Sequence, residues 1–240
     1  MIPKIIHYCW FGGKEKTILA KKCIESWKRY CPDYEFIEWN EENFDLSYCP
    51  YVKEAYEEKK WAFITDVVRL YALVNYGGIY MDTDVEVLKP LDDLLELSAF
   101  SGFQTVDSIP TGIIAAEKEH ALFRELLDDY KDIHFRLSDG SVNMETNVVK
   151  ITNTCLKYGL ILNNQKQEIN GFTLYPVEYF CAKDILTGKL IDNSNTYAIH
   201  HFAGSWTTKK NRINTKIDRT FRKLFGNDAA NSVRKIMRKN

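Results

Sequence analysis

The chain is poor in the residues that would make it fibrous or unstructured: 240 residues hold only six prolines and twelve glycines, and no segment is of low complexity or internally repeated. No apolar run approaches the roughly twenty residues of a membrane-spanning helix. The amino terminus has no charged region leading into an apolar core and cleavage site, so a cytoplasmic start is expected. Six cysteines, Cys9, Cys23, Cys31, Cys49, Cys155 and Cys181, show no CxxC spacing. That argues against a zinc site or a disulfide framework and for reduced, packed thiols. Net charge is −1, so no strong field of one sign covers the whole chain. What is present is apolar: 45% hydrophobic and 13% aromatic residues suffice for one substantial α/β core.

The near-neutral total hides a division. From Thr207 to Asn240 eleven Lys or Arg face two Asp, a balance of +9, which leaves −10 for residues 1–206 of a chain summing to −1. Ile213, Ile217, Phe221, Leu224 and Phe225 recur at helical spacing among Lys216, Arg219, Arg222 and Lys223. Residues 207–240 are therefore expected to be a basic amphipathic helical tail. Such a tail either lies on anionic lipid or packs its apolar face on a catalytic domain spanning 1–206. Nucleic acid is not an expected partner, because the acidic body opposes phosphate and no recognised binding motif accompanies the cations.

Along the chain, an apolar strand over Lys4–Tyr8 is followed by a helix from about Lys14 to Tyr30, stopped at Cys31-Pro32-Asp33. Next come a strand over Tyr34–Trp39, helices between Val52 and Tyr76, a short strand at Ile79–Met81 and a short helix over Leu91–Leu97. This β-α-β-α-β order predicts a doubly wound α/β sheet. Further strands are expected at Ala99–Phe103, Gly112–Ala116, Gly171–Tyr175 and Tyr197–Phe202, with helices over His120–Phe135 and Thr146–Tyr158.

Asp82-Thr83-Asp84 follows directly on Asn75-Tyr76-Gly77-Gly78-Ile79-Tyr80-Met81. Carboxylates two apart on an extended segment point to the same side, and a strand's carboxyl end is where open α/β sheets bind ligands. Few, hard oxygen ligands suit Mg²⁺ or Mn²⁺ whose other positions are filled by substrate phosphates. Upstream, Phe63, Val67, Leu70, Tyr71 and Val74 make Trp61–Tyr76 an amphipathic helix, ended by a left-handed Gly77. Asp66 and Arg69 share one face of it, and as a surface ion pair they would carry little weight.

The segments Ala62–Leu70 and Tyr76–Val85 together closely resemble the core signature of glycosyltransferase family 32, the DxD enzymes that include capsular-polysaccharide sugar transferases and outer-chain α-mannosyltransferases. Ile2–Gly12 resembles that family's opening strand, and Ala198–Trp206 its closing His and Gly-Ser-Trp element. The sequence departs from the family at Thr65, where relatives carry Ser, and at Glu145-Thr146-Asn147, where they often carry Thr-Gly-Pro.

The resemblance implies a single GT-A-type domain, a Rossmann-like mixed sheet flanked by helices, that retains anomeric configuration while moving a sugar from a UDP- or GDP-linked donor to a glycan or lipid-linked acceptor. It implies Asp82, Asp84 and His201 as ligands of Mn²⁺ or Mg²⁺; only one of His200 and His201 can face the metal, and His201, three before Gly204, resembles the His-x-x-Gly element of neighbouring retaining families. It implies Asp66 and Arg69 on the sugar and phosphate, Tyr8 and Trp10 on the base, Tyr80 beside the metal, Ser205 and Trp206 over the diphosphate, and Gly112 as a gap for sugar or acceptor. A bacterial surface-polysaccharide role, at the inner face of the membrane, is the expected setting. Two rivals remain: an aspartyl-phosphate phosphohydrolase using Asp82 as nucleophile, for which Asp82 lies late in the chain, and a sugar-binding protein without turnover.

Overall fold

A computed structural model describes residues 1–110, 112–191 and 193–204, together with 214, 215, 217–220 and 222. The strands are β1 (Ile5–Cys9), β2 (Glu35–Trp39), β3 (Gly78–Met81), β4 (Val85–Val87), β5 (Ala99–Gly102), β6 (Ile113–Ala116), β7 (Gln167–Ile169), β8 (Phe172–Tyr175) and β9 (Ala198–His200). The helices are α1 (Ile18–Tyr30), α2 (Pro50–Glu57), α3 (Trp61–Tyr76), α4 (Ala121–Asp128), α5 (Asn147–Lys157) and α6 (Val177–Phe180).

Seven strands form one sheet in the order β2-β1-β3-β6-β5-β8-β7, and β4 with β9 form a separate antiparallel ribbon. The sheet is mixed and flanked by helices, as the family resemblance implies, and the β-α-β-α-β order read from the sequence accounts for its β2-β1-β3 part alone. β2, β1 and β3 run parallel, but β6 enters antiparallel between β3 and β5. Pairing of strands 35 residues apart is a tertiary choice that local pattern does not encode.

Side-chain alternation sorts the core into two layers. Ile79 and Met81 of β3 join the cluster containing Trp27 of α1 and Val85 of β4, whereas Tyr80 joins the cluster built on α3, α4 and α5. Helix α1 starts at Ile18, later than expected, because the Thr17 hydroxyl caps it by accepting from the Ala20 amide at 3.1 Å. The expected helix over Leu91–Leu97 is only a 3₁₀ turn at Asp92–Leu94.

Helix α3 has the predicted limits and ends on Gly77 at φ +70°, whose N–H donates to Leu73 O. Gly78, at φ +104°, admits the neighbouring strand: a Cβ there would meet the Ile5 carbonyl at 2.6 Å. The helix is not amphipathic in its setting. From Phe63 to Val74 none of its residues is exposed, and Asp66 and Arg69 are only 6% and 4% exposed. This pair is therefore not the weak surface bridge of the bland alternative. All six cysteines are buried and unbridged, as expected.

Candidate functional site

Strand β3 leads directly into Asp82, whose amide donates to Gly112 O at 2.8 Å. The chain then turns: the Val85 amide returns to Asp82 O at 3.0 Å. The two acids thus converge through a tight turn and not through alternation along one strand, which corrects the extended geometry expected from their spacing. Helix α1 fixes the far side of that turn, with Trp27 Nε1 donating to Val85 O (2.8 Å) and Ser26 Oγ accepting from the Val87 amide (2.9 Å).

The β4–β9 ribbon sets Val85 opposite His200. His200 Nε2 lies 3.2 Å from Asp84 Oδ1. One ligand atom from each of Asp82, Asp84 and His200 falls within 4.8 Å of the others, a group able to hold a metal ion. His201 goes elsewhere: its ring meets Glu86 Oε2 at 2.8 Å, and its amide donates to Asp84 O at 2.9 Å. The sequence favours His201, but the ribbon register turns His200 inward with buried Ala198 and leaves His201 to an outward carboxylate shared with Lys22.

Gly112, expected as a gap for sugar or acceptor, borders His200. A Cβ at that position would lie 2.7 Å from both Cε1 and Nδ1 of His200. The space that a side chain would need there is taken by the histidine ring.

Each acid has its own support. Asp82 Oδ1 accepts from Tyr80 OH at 3.0 Å and lies 3.5 Å from Arg69 Nη2. Arg69 sits over the Tyr80 ring (4.6 Å to the centroid) and reaches Asp66 Oδ1 at 3.3 Å. Asp84 Oδ2 accepts from the Ala203 amide at 2.7 Å. Burial pushes Asp84 up, but His200 and that amide outweigh it and hold the carboxyl at about 2; Asp84 in turn raises the His200 imidazole against its own burial. Asp66 is pushed up to about 6 by burial, opposed by Arg69 and the Asn147 amide.

Asn147 is the residue that sequence reasoning misses. It stands in the segment that departs from the family, yet its backbone N–H donates to Asp66 Oδ2 (3.2 Å) and its side-chain amide to Asp66 O (2.6 Å). Its Oδ1 accepts from Tyr130 OH at 2.7 Å. Burial at 0% exposure makes it a fastener for Asp66, and no local pattern signals a partner 81 residues away.

Tyr8 and Trp10 lie at the end of β1, parallel to β3, and so share the carboxyl edge with Asp82. Tyr8 is nearly buried, its OH on Glu38 (2.8 Å) and its ring edge-on to Trp27. Trp10 is the more accessible, with Nε1 on Lys14 O and Lys16 above its ring at 5.7 Å. Ser205 and Trp206 lie outside the described residues.

Residues 19–101 match the family model of the glycosyltransferase sugar-binding region containing DXD motif. That span includes Asp66, Arg69, Asp82 and Asp84. Inositol phosphoceramide mannosyltransferase 3 of Schizosaccharomyces pombe is 32% identical over 133 residues, 52% of this chain and 36% of that protein. The chain is related to the DXD glycosyltransferases of family 32. It spans about a third of the length of that fungal family member. Over a longer stretch, uncharacterized glycosyltransferase L373 of Acanthamoeba polyphaga mimivirus is 27% identical across 223 residues, 86% of this chain and 84% of that one. A solved glycosyltransferase involved in glycosylation of the major capsid of PBCV-1 aligns over 89% of this chain and all of its own, at 12% identity and a TM-score of 0.46.

Proposed function

We propose that the chain is a retaining, metal-dependent glycosyltransferase that moves a hexosyl group from a UDP- or GDP-linked donor to a hydroxyl of a glycan or lipid-linked acceptor. The observation that carries this reading is the convergence of Asp82, Asp84 and His200 at the edge of β3, within a sequence matching a DXD sugar-binding region. Two carboxylates and one imidazole suit Mn²⁺, and less closely Mg²⁺. Asp82, Asp84 and His200 are the residues that would hold it. Such an ion, when bound, supplies Lewis acidity toward a departing diphosphate.

The protein's own groups supply positioning. Arg69, clamped between Asp66 and Asp82, fixes both carboxylates by charge-assisted contacts. Asp66, with its carboxyl near 6, can exchange hydrogen bonds with a sugar hydroxyl in either protonation state. Trp10, the more accessible of the two rings at the end of β1, offers surface for the base, with Tyr8 packed behind the same edge. Cys9, which borders Tyr80 and Arg69, is pushed up to about 12 by burial, so it is no nucleophile. That suits reaction on one face of the sugar, with the leaving phosphate taking the acceptor proton. The likeness to the fungal inositol phosphoceramide mannosyltransferase favours mannose as the sugar and a phosphorylated lipid as the acceptor, met in the cytoplasm at a membrane face.

The test is donor hydrolysis and transfer with a panel of UDP- and GDP-sugars and Mn²⁺. Asp84→Ala is expected to abolish turnover, at least about 10²-fold, with the thermal transition retained. Tight donor binding without turnover by the unaltered chain would mark a sugar-binding protein, and phosphomonoester hydrolysis in the absence of any donor would mark a phosphohydrolase.

A further inference from the structure

Between α6 and β9 the chain doubles back as a small hairpin. The Ile191 amide donates to Ala182 O (3.0 Å), Asp184 N to Lys189 O (2.9 Å) and Gly188 N to Asp184 O (2.7 Å), and Lys183 bridges Leu190. The hairpin starts beside the site, since Cys181 interacts with His200. Its one carboxylate is committed: Asp184 Oδ1 accepts from the amides of Leu186 and Thr187 and from the Thr187 hydroxyl. Lys183, partly buried, makes no ion pair within 4.0 Å among the described residues.

A second cation arrives from the basic tail. Arg219 Nε donates to Ile185 O at 3.1 Å. The Lys183 and Arg219 stems flank one point: a Cβ on Gly188 would lie 3.6 Å from Arg219 Cδ and 3.9 Å from Lys183 Cε. Two like charges are thus gathered in partial burial, and among the described residues no carboxylate lies within ion-pair distance of either. Burial lowers both and Arg219 lowers Lys183 further, while one carboxylate charge reaches each: Asp84, of the metal-binding group, acts on Lys183 and Asp184 on Arg219.

We propose that Lys183 and Arg219 form a phosphoryl-binding site beside the Asp82, Asp84 and His200 group. An arginine fork with an ammonium beside it matches the several acceptor oxygens of a phosphate or diphosphate, and a bound anion relieves the repulsion between the two. The phosphoryl group belongs either to the nucleoside diphosphate of a donor or to a phosphorylated acceptor. Those two sources rest on the functional reading above, whereas the anion site itself does not. It also gives part of the basic tail a role at the site, distinct from contact with a lipid surface.

The test uses the full chain and titration calorimetry with inorganic pyrophosphate, GDP and UDP, each with and without Mn²⁺, for the unaltered protein and for Lys183→Met, Arg219→Met and Lys183→Arg. Met keeps each aliphatic stem, and thermal melts confirm folding. Loss of one charge-assisted contact is expected to weaken pyrophosphate or nucleotide binding at least about tenfold, with Lys183→Arg retaining most of it and guanosine or uridine binding unaffected. If those ligands bind the Met variants unchanged while retention on phosphatidylinositol vesicles, relative to phosphatidylcholine vesicles, falls about tenfold, the site stands and its phosphoryl group is the acceptor's. Unchanged binding in both arms by folded variants overturns it, as does an unaltered chain that binds none of these phosphates. Pyrophosphate binding needs no sugar transfer, so a chain without turnover tests the functional reading separately.

Discussion

Gly112 owes its lack of a side chain to a histidine ring that occupies the space one would need. Its φ lies outside the left-handed region, so Gly112→Ala strains no backbone and acts only by displacing His200. The substitution is expected to lower Mn²⁺ affinity about 10- to 100-fold, the usual effect of disturbing a ligand's support, with little change in melting temperature; calorimetry and a thermal melt read the two. Asn147→Ala should act differently. It removes the donor to Asp66 O and the acceptor of Tyr130 OH, both buried. Stranded polar groups of that kind cost about 1–3 kcal/mol each, measurable by urea unfolding. Asp82, Asp84, Asp66 and Arg69 were legible as a group because their motifs are contiguous. The sequence points to His201 and not to His200, since the choice depends on pairing with β4, 115 residues earlier in the chain. Asn147 carried no signal for the same reason.

Among elements, α3 and β3 are the pair that local chemistry defines best. Apolar spacing, a glycine at the helix end and β-prone residues beyond it all agree, and the limits of α3 match those read from sequence. What the local signals do not contain is the sheet around them: β6 runs opposite to β3, and β4 leaves the sheet to pair with β9. The glycine step between α3 and β3 is testable. A Cβ on Gly78 would meet the Ile5 carbonyl at 2.6 Å, at a φ of +104° that side chains avoid. Backbone strain and overpacking together should make Gly78→Ala destabilising by about 3 kcal/mol or more. Chemical denaturation would show a lower midpoint with an unchanged slope, whereas a midpoint equal to the parent's would mean that β1 and β3 can part without cost.

For the molecule as a whole, stability should depend on pH through His7, wholly buried in β1. Its Nε2 meets Gly77 O at 2.8 Å, while its Nδ1 accepts from Trp39 Nε1 at 3.2 Å, so the neutral ring fits and the charged one does not. Burial pushes its pKa down from 6.5 to about 4. Between those values the unfolded chain binds a proton that the folded one refuses, so this contribution is present above about 6.5 and is lost as pH falls toward 4. The loss amounts to about 3 kcal/mol. His7→Gln removes it. The stability gap between parent and variant, measured by urea unfolding at pH 7 and at pH 4, should therefore shift in favour of the variant by that amount on acidification. Buried Asp66, pushed up to about 6, works in the opposite sense, stabilising below about 4 and losing that contribution as pH rises through 6; the comparison between parent and variant cancels it.

The β4–β9 ribbon joins residues 85–87 to residues 198–200, so the two acids and their histidine meet only after the intervening hundred or so residues have taken their places. A nascent chain that has just exposed Asp82 and Asp84 holds half a cation site, and a fragment ending before β9 never completes it. An ion held by all three groups would therefore enter late in maturation and would report that the polypeptide has closed upon itself.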